Sequence, residues 1–305
     1  MSNITSIILT KNEDKHLQRC IDSIKPFSNN IVIIDSFSTD KTINIAKNNN
    51  CIILERAWSN HADQFNWALE NINFEMDWVL RIDADEVILG DFKNIFNKAN
   101  HNSMFKGFAL KRSIKFCGKL MKHGGIASKP ITRIFKIGYG YYENRLMDEH
   151  LNIKGEIGLL DLELVDENLN SIGWWINKHN KYASLEAFEK IKQEKKHEKL
   201  KPSNSFNKNT KLIKYLKDNI YYRMPVFIRS FLYFNFRYFF KFGFLDGYRG
   251  FIFHFLQGFW YRFLVDIKLN EYNRIKSLNY EMKDEDLISS ILDLDINLIR
   301  QNLNE

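Results

Sequence analysis

Apolar and polar positions alternate in blocks along the first hundred residues. Ile4 to Leu9 is a short apolar, β-branched run with the length and composition of a buried strand. Leu17, Ile21 and Ile24 then recur at helical spacing. Asn30 to Ile34 predicts a second strand with Asp35 at its end, and Thr39 to Lys47 a helix with Ser38 or Thr39 as N-cap. Cys51 to Leu54 predicts a third strand, and Phe65, Leu69 and Ile72 mark a third helix. Trp78 to Ile82 predicts a fourth strand ending at Asp83. Strands alternating with helices imply βαβ units and a mostly parallel sheet.

From Phe108 to Ile157 the pattern shortens, with strand-like pieces at Phe108 to Leu110 and Arg133 to Phe135 and a loop at His123-Gly124-Gly125. After Ser171 the chain turns helical. Pro202 and the polar run Ser203 to Asn209 read as a connector. Phe227 to Phe240 and Tyr248 to Ile267 predict two helices separated by Gly243 and the Asp246-Gly247 turn, and Asp284 to Leu303 a last amphipathic helix. The expected division is an α/β domain over 1–170 and a helical region over 171–305.

Composition narrows the class. An apolar fraction of 45% suits a globular core, and four prolines with fourteen glycines leave little room for long disordered linkers. Three cysteines, Cys20, Cys51 and Cys117, form no CxxC pattern, which points to a reducing compartment rather than a disulfide framework or zinc site. Met1 to Thr10 lacks a basic segment before its apolar run and reads as a strand, not a signal peptide. No uncharged apolar run approaches the ~18 residues of a spanning helix; Gly250 to Tyr261 is bracketed by Arg249 and Arg262. The expected location is therefore cytoplasmic.

The net charge of +7 is unevenly spread: Lys201 to Tyr280 holds fourteen Lys and Arg against four Asp and Glu. Basic faces attract nucleic acid, anionic lipid or phosphorylated substrates.

The polar residues that follow the strands carry the chemistry. Thr10, Lys11, Asn12 and Glu13 follow the first strand, Asp35, Ser36 and Ser38 the second, Arg56 and Trp58 the third, and Asp83, Asp85 and Glu86 the fourth. In an open α/β sheet ligands bind beyond the carboxyl ends of the strands, so four such clusters on one edge make a site. Asp83-Ala84-Asp85-Glu86 is the strongest of them. Where a strand ends and turns, carboxylates at i and i+2 can reach one hard cation, completed by water and phosphate oxygens.

Three ordered motifs, Ile7-Ile8-Leu9-Thr10-Lys11-Asn12-Glu13, Ile33-Ile34-Asp35-Ser36-Phe37-Ser38-Thr39-Asp40-Lys41-Thr42 and Trp78-Val79-Leu80-Arg81-Ile82-Asp83-Ala84-Asp85-Glu86, resemble the family 2 glycosyltransferases of the GT-A fold. Within that family they look most like bacterial enzymes that extend lipopolysaccharide core or related surface glycans. The resemblance covers roughly residues 1 to 150 and implies that 1–170 is the catalytic domain, with nucleotide-sugar binding in 1–100 and the acceptor and base region in 101–170. It implies a Rossmann-like, mostly parallel sheet with flanking helices and inverting transfer from a nucleotide-diphosphate sugar, a UDP-sugar, with Mg2+ or Mn2+. By resemblance Thr10 and Asp35 contact the nucleoside, aided by Asn12 and Glu13, with Arg56 beside them; Asp83 lies near ribose or metal, and Asp85 is the metal ligand. An inverting enzyme needs a general base for the acceptor hydroxyl. Leu146 to Leu151 is the matching segment, so Asp148 or Glu149 serves, Glu149 ahead; His150 is a further metal ligand or orients the base. Arg133 faces the diphosphate or the acceptor, or is a surface strand charge.

The aromatic-basic segment Tyr221 to Arg262 reads as a helix pair in a core, an oligomer interface, or an interfacial surface on anionic lipid. Acceptors in the resembled subgroup are lipid-linked saccharides, which favours the membrane reading, peripheral on the inner face of the cytoplasmic membrane. Rival functions fit less well. Asp83-Ala84-Asp85-Glu86-Val87 also matches the haloacid-dehalogenase phosphatase pattern, but that leaves the first two motifs without a role. A nucleotidylyltransferase needs a Gly-rich loop after the first strand, and Thr10 to Glu13 has no glycine. Nucleic acid is an unsuitable partner, because paired carboxylates repel phosphate unless a metal bridges them.

Overall fold

A computed structural model describes residues 3–73, 77–101, 104–143, 151–195, 225–278 and 282–304. The chain divides into two compact units, Met1–Asn170 and Ser171–Glu305.

In the first unit β1 (Ile4–Thr10), β2 (Asn30–Asp35), β3 (Ile52–Glu55) and β4 (Trp78–Arg81) alternate with α1 (Leu17–Ile24), α2 (Thr42–Asn48) and α3 (His61–Asn71). The four strands are parallel, in the order β3-β2-β1-β4. Successive side chains of these strands feed two cores. Ile8, Ile33 and Leu80 meet Leu17, Ile21 and Ile24 of α1 on one face; Ile7, Val32, Ile34 and Val79 meet Ala62, Phe65 and Ala68 of α3 on the other. Burial on both faces is why the strands read as unbroken apolar runs instead of alternating ones.

The second half of this unit contains β5 (Glu86–Leu89), α4 (Phe92–Asn100), β6 (Gly107–Phe116), β7 (Lys119–Leu120), β8 (Lys129–Lys136), β9 (Gly140–Tyr142), β10 (Leu151–Ile153) and β11 (Ile157–Asp166). The sheet continues from β4 through β8, β6 and β11 to β5, with β7 on β6, and β9 and β10 form a separate antiparallel pair. β8 runs antiparallel to both neighbours, so β6 and β11 again point their carboxyl ends to the edge reached by β1 and β4. This is the GT-A arrangement. The chain order reverses at β1, flanked by β2 on one side and β4 on the other. A crevice therefore opens beyond the carboxyl ends of β1 and β4.

α2 starts at Thr42, not at Thr39. The preceding residues are committed elsewhere. Ser38 donates its backbone N–H and hydroxyl to Asp35, and the Thr39 N–H goes to Asn12 Oδ1. Asp40, rather than Ser38 or Thr39, takes the first helical N–H, that of Thr42 at 2.9 Å.

The second unit is helical: α5 (Ile172–Lys195), α6 (Val226–Asn235), α7 (Gly247–Phe253), α8 (Tyr261–Leu278), α9 (Asp284–Leu292) and α10 (Ile296–Asn304). π-Helical turns at Phe236–Phe240 and His254–Trp260 extend α6 and join α7 to α8, and a 3-10 turn spans Gly243–Asp246.

Candidate active site

The loops after β1 and β2 are laced together by side chains reaching backbone. Asp35, fully buried, accepts from Thr10 Oγ1 at 2.7 Å and from the Ser38 hydroxyl and N–H, each at 2.6 Å. The Asn12 N–H donates to Ser38 Oγ at 2.8 Å, the Glu13 N–H to Thr42 Oγ1 at 2.7 Å, and Lys11 Nζ to the carbonyls of Ser36 and Phe37. Asn12 and Phe37 both hold left-handed backbone, φ 56° and 59°. Such strain in non-glycine residues is retained where surrounding contacts over-determine the turn, often at functional sites. Thr10, Asn12, Glu13 and Asp35 thus form one rigid rim at the switch point.

Glu13 also orders His16. The Leu169 N–H donates to His16 Nε2 at 2.8 Å, so Nδ1 carries the proton and donates to Glu13 Oε2 at 2.7 Å. Arg56 joins the rim through its backbone, its N–H donating to Asp35 O at 2.9 Å. Its guanidinium turns to α3, pairing with Asp63 Oδ2 at 2.8 Å and lying over Trp67.

At the end of β4 the chain makes a tight turn. The Glu86 N–H donates to Asp83 O at 2.9 Å, and the Asp83 N–H returns to Glu86 Oε2 at 3.1 Å. Glu86 is thereby tucked beneath the turn, while Asp83 and Asp85 remain partly exposed. Asp83 is gripped by two guanidiniums, Arg81 at 3.3 Å and Arg133 at 2.8 Å. Arg133 also pairs with Glu86, and Arg112 reaches Glu86 and Asp166. Three guanidiniums and three carboxylates alternate, so each buried charge has a partner of opposite sign.

Arg133 is 3% exposed, which corrects the expectation that it is a surface charge or faces the diphosphate or acceptor: its guanidinium is engaged by Asp83 and Glu86. Burial alone would push the Asp83 carboxyl up, but Arg133 and then Arg81 outweigh it and hold it well below the usual carboxylate range. Burial pushes Glu86 up to about 7 against the pull of Arg133, with the Asp83 charge adding to the rise.

Asp85 stands apart from this network. Its Oδ2 accepts from Asn168 Nδ2 at 3.3 Å, its backbone oxygen accepts from Arg19 and from the Glu167 N–H, and no Lys or Arg among the described residues forms an ion pair with its carboxylate. That donor set fits a hard divalent cation. Asp85 offers carboxylate oxygen free of cationic competition, whereas both Asp83 oxygens are already drawn to guanidiniums. No group of three His, Cys, Asp or Glu positioned for a metal occurs among the described residues. A cation here would depend on water and ligand phosphate for the rest of its shell, as Mg2+ commonly does. Asp148, Glu149 and His150 lie outside the described residues.

Sequence reading missed Arg112, Asp166 and His16 as parts of the site, and it named Glu86 and Arg133 without the ion pair that joins them. The available signal was a charge inside an apolar strand, Arg81 in Trp78-Val79-Leu80-Arg81 and Arg133 in Ile131-Thr132-Arg133-Ile134, since a buried charge requires a partner. Which partner it finds depends on β8 crossing between β4 and β6.

Residues 5–112 match the family described as Glycosyl transferase family 2. An uncharacterized glycosyltransferase of Rickettsia prowazekii (strain Madrid E) is 28% identical over 294 residues, covering 92% of each chain. The SPbeta prophage-derived glycosyltransferase SunS of Bacillus subtilis (strain 168) is 32% identical over 107 residues, 34% of this chain and 23% of that protein. A crystal structure of glucosyl-3-phosphoglycerate synthase from Mycobacterium tuberculosis with Mn2+, UDP and phosphoglyceric acid aligns with a TM-score of 0.31 at 17% identity, over 36% of this chain and 43% of that one, too slight a likeness to argue from. The matched segment runs from β1 into β6 and contains the laced rim, Asp83 and Asp85, so over this part the chain is similar to the family 2 glycosyltransferases, and over nearly its whole length to a Rickettsia glycosyltransferase.

Proposed function

We propose that this glycosyltransferase moves a sugar, with inversion, from a UDP-sugar to a lipid-linked saccharide acceptor in bacterial surface-glycan synthesis, at the inner face of the cytoplasmic membrane. The observation that carries the donor reading is the meeting, at one switch point, of the Thr10–Asp35 rim with the Asp83–Glu86 turn. Asp35 and Thr10 hold the loops that receive the nucleoside, with Asn12 and Glu13 setting their shape. Asp85, with Asp83 beside it, would hold Mg2+ or Mn2+, which when bound offsets negative charge on the diphosphate.

The acceptor oxygen attacks the anomeric carbon opposite the UDP oxygen, forming the new glycosidic bond as the bond to UDP breaks. The acceptor proton passes to Glu149 or Asp148 and then to solvent, and UDP leaves with the bonding pair. His150 orients that carboxylate or adds a metal contact. The network behind Asp83 keeps its carboxylate ionised and fixed, so no reorganisation is needed as charge develops.

Thermal stability of the purified chain with a panel of nucleotide sugars, with and without Mn2+, tests the donor reading. A UDP-sugar or UDP should stabilise the protein only with the metal present, because a ligand that binds the native state shifts unfolding. Equal stabilisation by UDP in excess chelator would remove the metal from this scheme.

A further inference from the structure

The segment from α6 to the start of α8 is built with its polarity reversed. Several of its charged and polar side chains point inward. Arg229 is buried and grips Asp266 of α8 with two nitrogens, Nε to Oδ2 at 2.6 Å. Arg237, Asp246, Ser230 and His254 are also buried. Neither ring nitrogen of His254 is hydrogen-bonded, and burial, reinforced by the Arg237 charge, pushes its pKa down to about 4, leaving it neutral. The apolar side chains point outward. Twelve large ones between Ile228 and Phe255 are exposed, Phe240 to 74% and Tyr248 to 72%.

Small residues bring the backbones together. A Cβ on Gly243 would lie 2.7 Å from His254 Nε2 and 2.9 Å from Arg237 O, and one on Gly250 would lie 2.5 Å from Asp246 Cβ. At the tip the chain reverses through Phe242, in left-handed backbone at φ 58°, and Gly247 at φ 65°, which places Phe239, Phe240, Phe242, Phe244, Leu245 and Tyr248 around one turn.

A helical hairpin in water hides its aromatics and exposes its charges. A charge pair inside, glycines at the contacts and apolar side chains outside are the arrangement of helices in lipid, where interior charges pair with one another. Charge agrees. Asp246 is the only acidic residue between Val226 and Arg262, and it is 2% exposed; the charges left at the tip are the exposed Lys241 and the half-buried Arg249. Cations beside outward aromatics suit an anionic headgroup layer. No helix among the described residues is long and apolar enough to cross a membrane.

From this geometry we infer that residues 226–266 are a monotopic element that sinks its aromatic tip, Phe239 to Tyr248, into one leaflet of an anionic bilayer. Arg229 and Arg237 hold the hairpin together from inside, so headgroup contact falls to Lys241 and Arg249. This deepens the lipid-acceptor reading and rests on it only for what the embedded face serves. Apolar insertion, not surface charge, dominates the attachment.

The test is flotation of the full chain with vesicles of phosphatidylglycerol and phosphatidylcholine, at low salt and at high salt. The wild type floats in both, and the double variant Phe240→Ser/Tyr248→Ser partitions at least tenfold less while hydrolysing donor at the wild-type rate. Partition of that variant equal to wild type overturns insertion by the tip. Release of the wild type by high salt reduces the contact to charge alone and overturns it as well. If the wild type ignores vesicles but forms a dimer that the double variant breaks, the face is an interface between copies and the inference falls. Donor hydrolysis, read in the same preparations, reports separately whether the catalytic reading stands.

Discussion

Arg133 Nη2 lies 2.8 Å from Asp83 Oδ2, joining the middle of an antiparallel strand to the turn that carries Asp83 and Asp85. The same nitrogen contacts the buried Glu86, so one guanidinium bridges two carboxylates that would otherwise repel. Arg133→Ala should therefore destabilise the protein by about 3–5 kcal/mol, the cost of leaving buried charge uncompensated. Urea unfolding measures it. Arg133→Lys, a single point charge without the planar fork, should fall between the two, and a loss under ~1 kcal/mol in the alanine variant would mean the network contributes little.

Asp85→Ala should abolish transfer and metal-dependent UDP binding and leave the fold intact. The side chain is partly exposed, its side-chain partner is Asn168, and its charge adds to the desolvation that raises the pKa of the half-buried Asp166. Removing it relieves repulsion in the metal-free protein. Titration with Mn2+ and UDP checks the binding, and circular dichroism the fold; full turnover in the variant would rule out the assignment.

Glu149→Gln and Asp148→Asn should separate binding from chemistry. A general base acts in the transition state, so the variant at the true base should lose roughly 10²–10⁴-fold in turnover while UDP affinity stays near wild type. Near-normal rates in both variants would place the base elsewhere.

Asp35→Asn should weaken both the rim and the donor site. The carboxylate accepts three hydrogen bonds, from Thr10 Oγ1, Ser38 N–H and Ser38 Oγ, with no exposure to water. An amide presents donors to some of these donors, costing about 1–3 kcal/mol for the unsatisfied buried groups. Chemical denaturation and UDP titration on the same sample should move together.

Acid should weaken the second unit through His254. Its folded pKa, about 4, lies below the ~6.5 of an unfolded histidine. Between those values the unfolded state binds more protons, so stability is complete above about pH 6.5 and is lost as pH falls toward 4. The groups that face the ring are Arg237, which opposes protonation, and Asp246, which favours it. The shift corresponds to about 3 kcal/mol, and His254→Gln, neutral throughout, should flatten the decline between pH 6.5 and 4.5. An unchanged slope would show that His254 does not set it.

The sequence by itself determined the βαβ half of the fold. Ile4–Leu9, Asn30–Ile34 and Trp78–Ile82 are apolar on both faces, and only a parallel sheet covered on both sides accommodates that. It also determined that Thr10, Asp35, Asp83 and Asp85 share an edge, because every strand of such a sheet ends on the same side. Tertiary structure alone decided what each charge faces. Arg133 is about fifty residues from Asp83 in the chain, and β8 brings them together only by inserting antiparallel between β4 and β6. The same limit applies to the C-terminal aromatics. Composition showed that Phe, Tyr and Arg are mixed there, but Arg229 and Arg237 turn inward while Phe239 and Phe240 turn outward. π-Helical turns at 236–240 and 254–260 shift the helical register, and a periodicity of 3.6 cannot reveal which face is buried when the helix departs from that period.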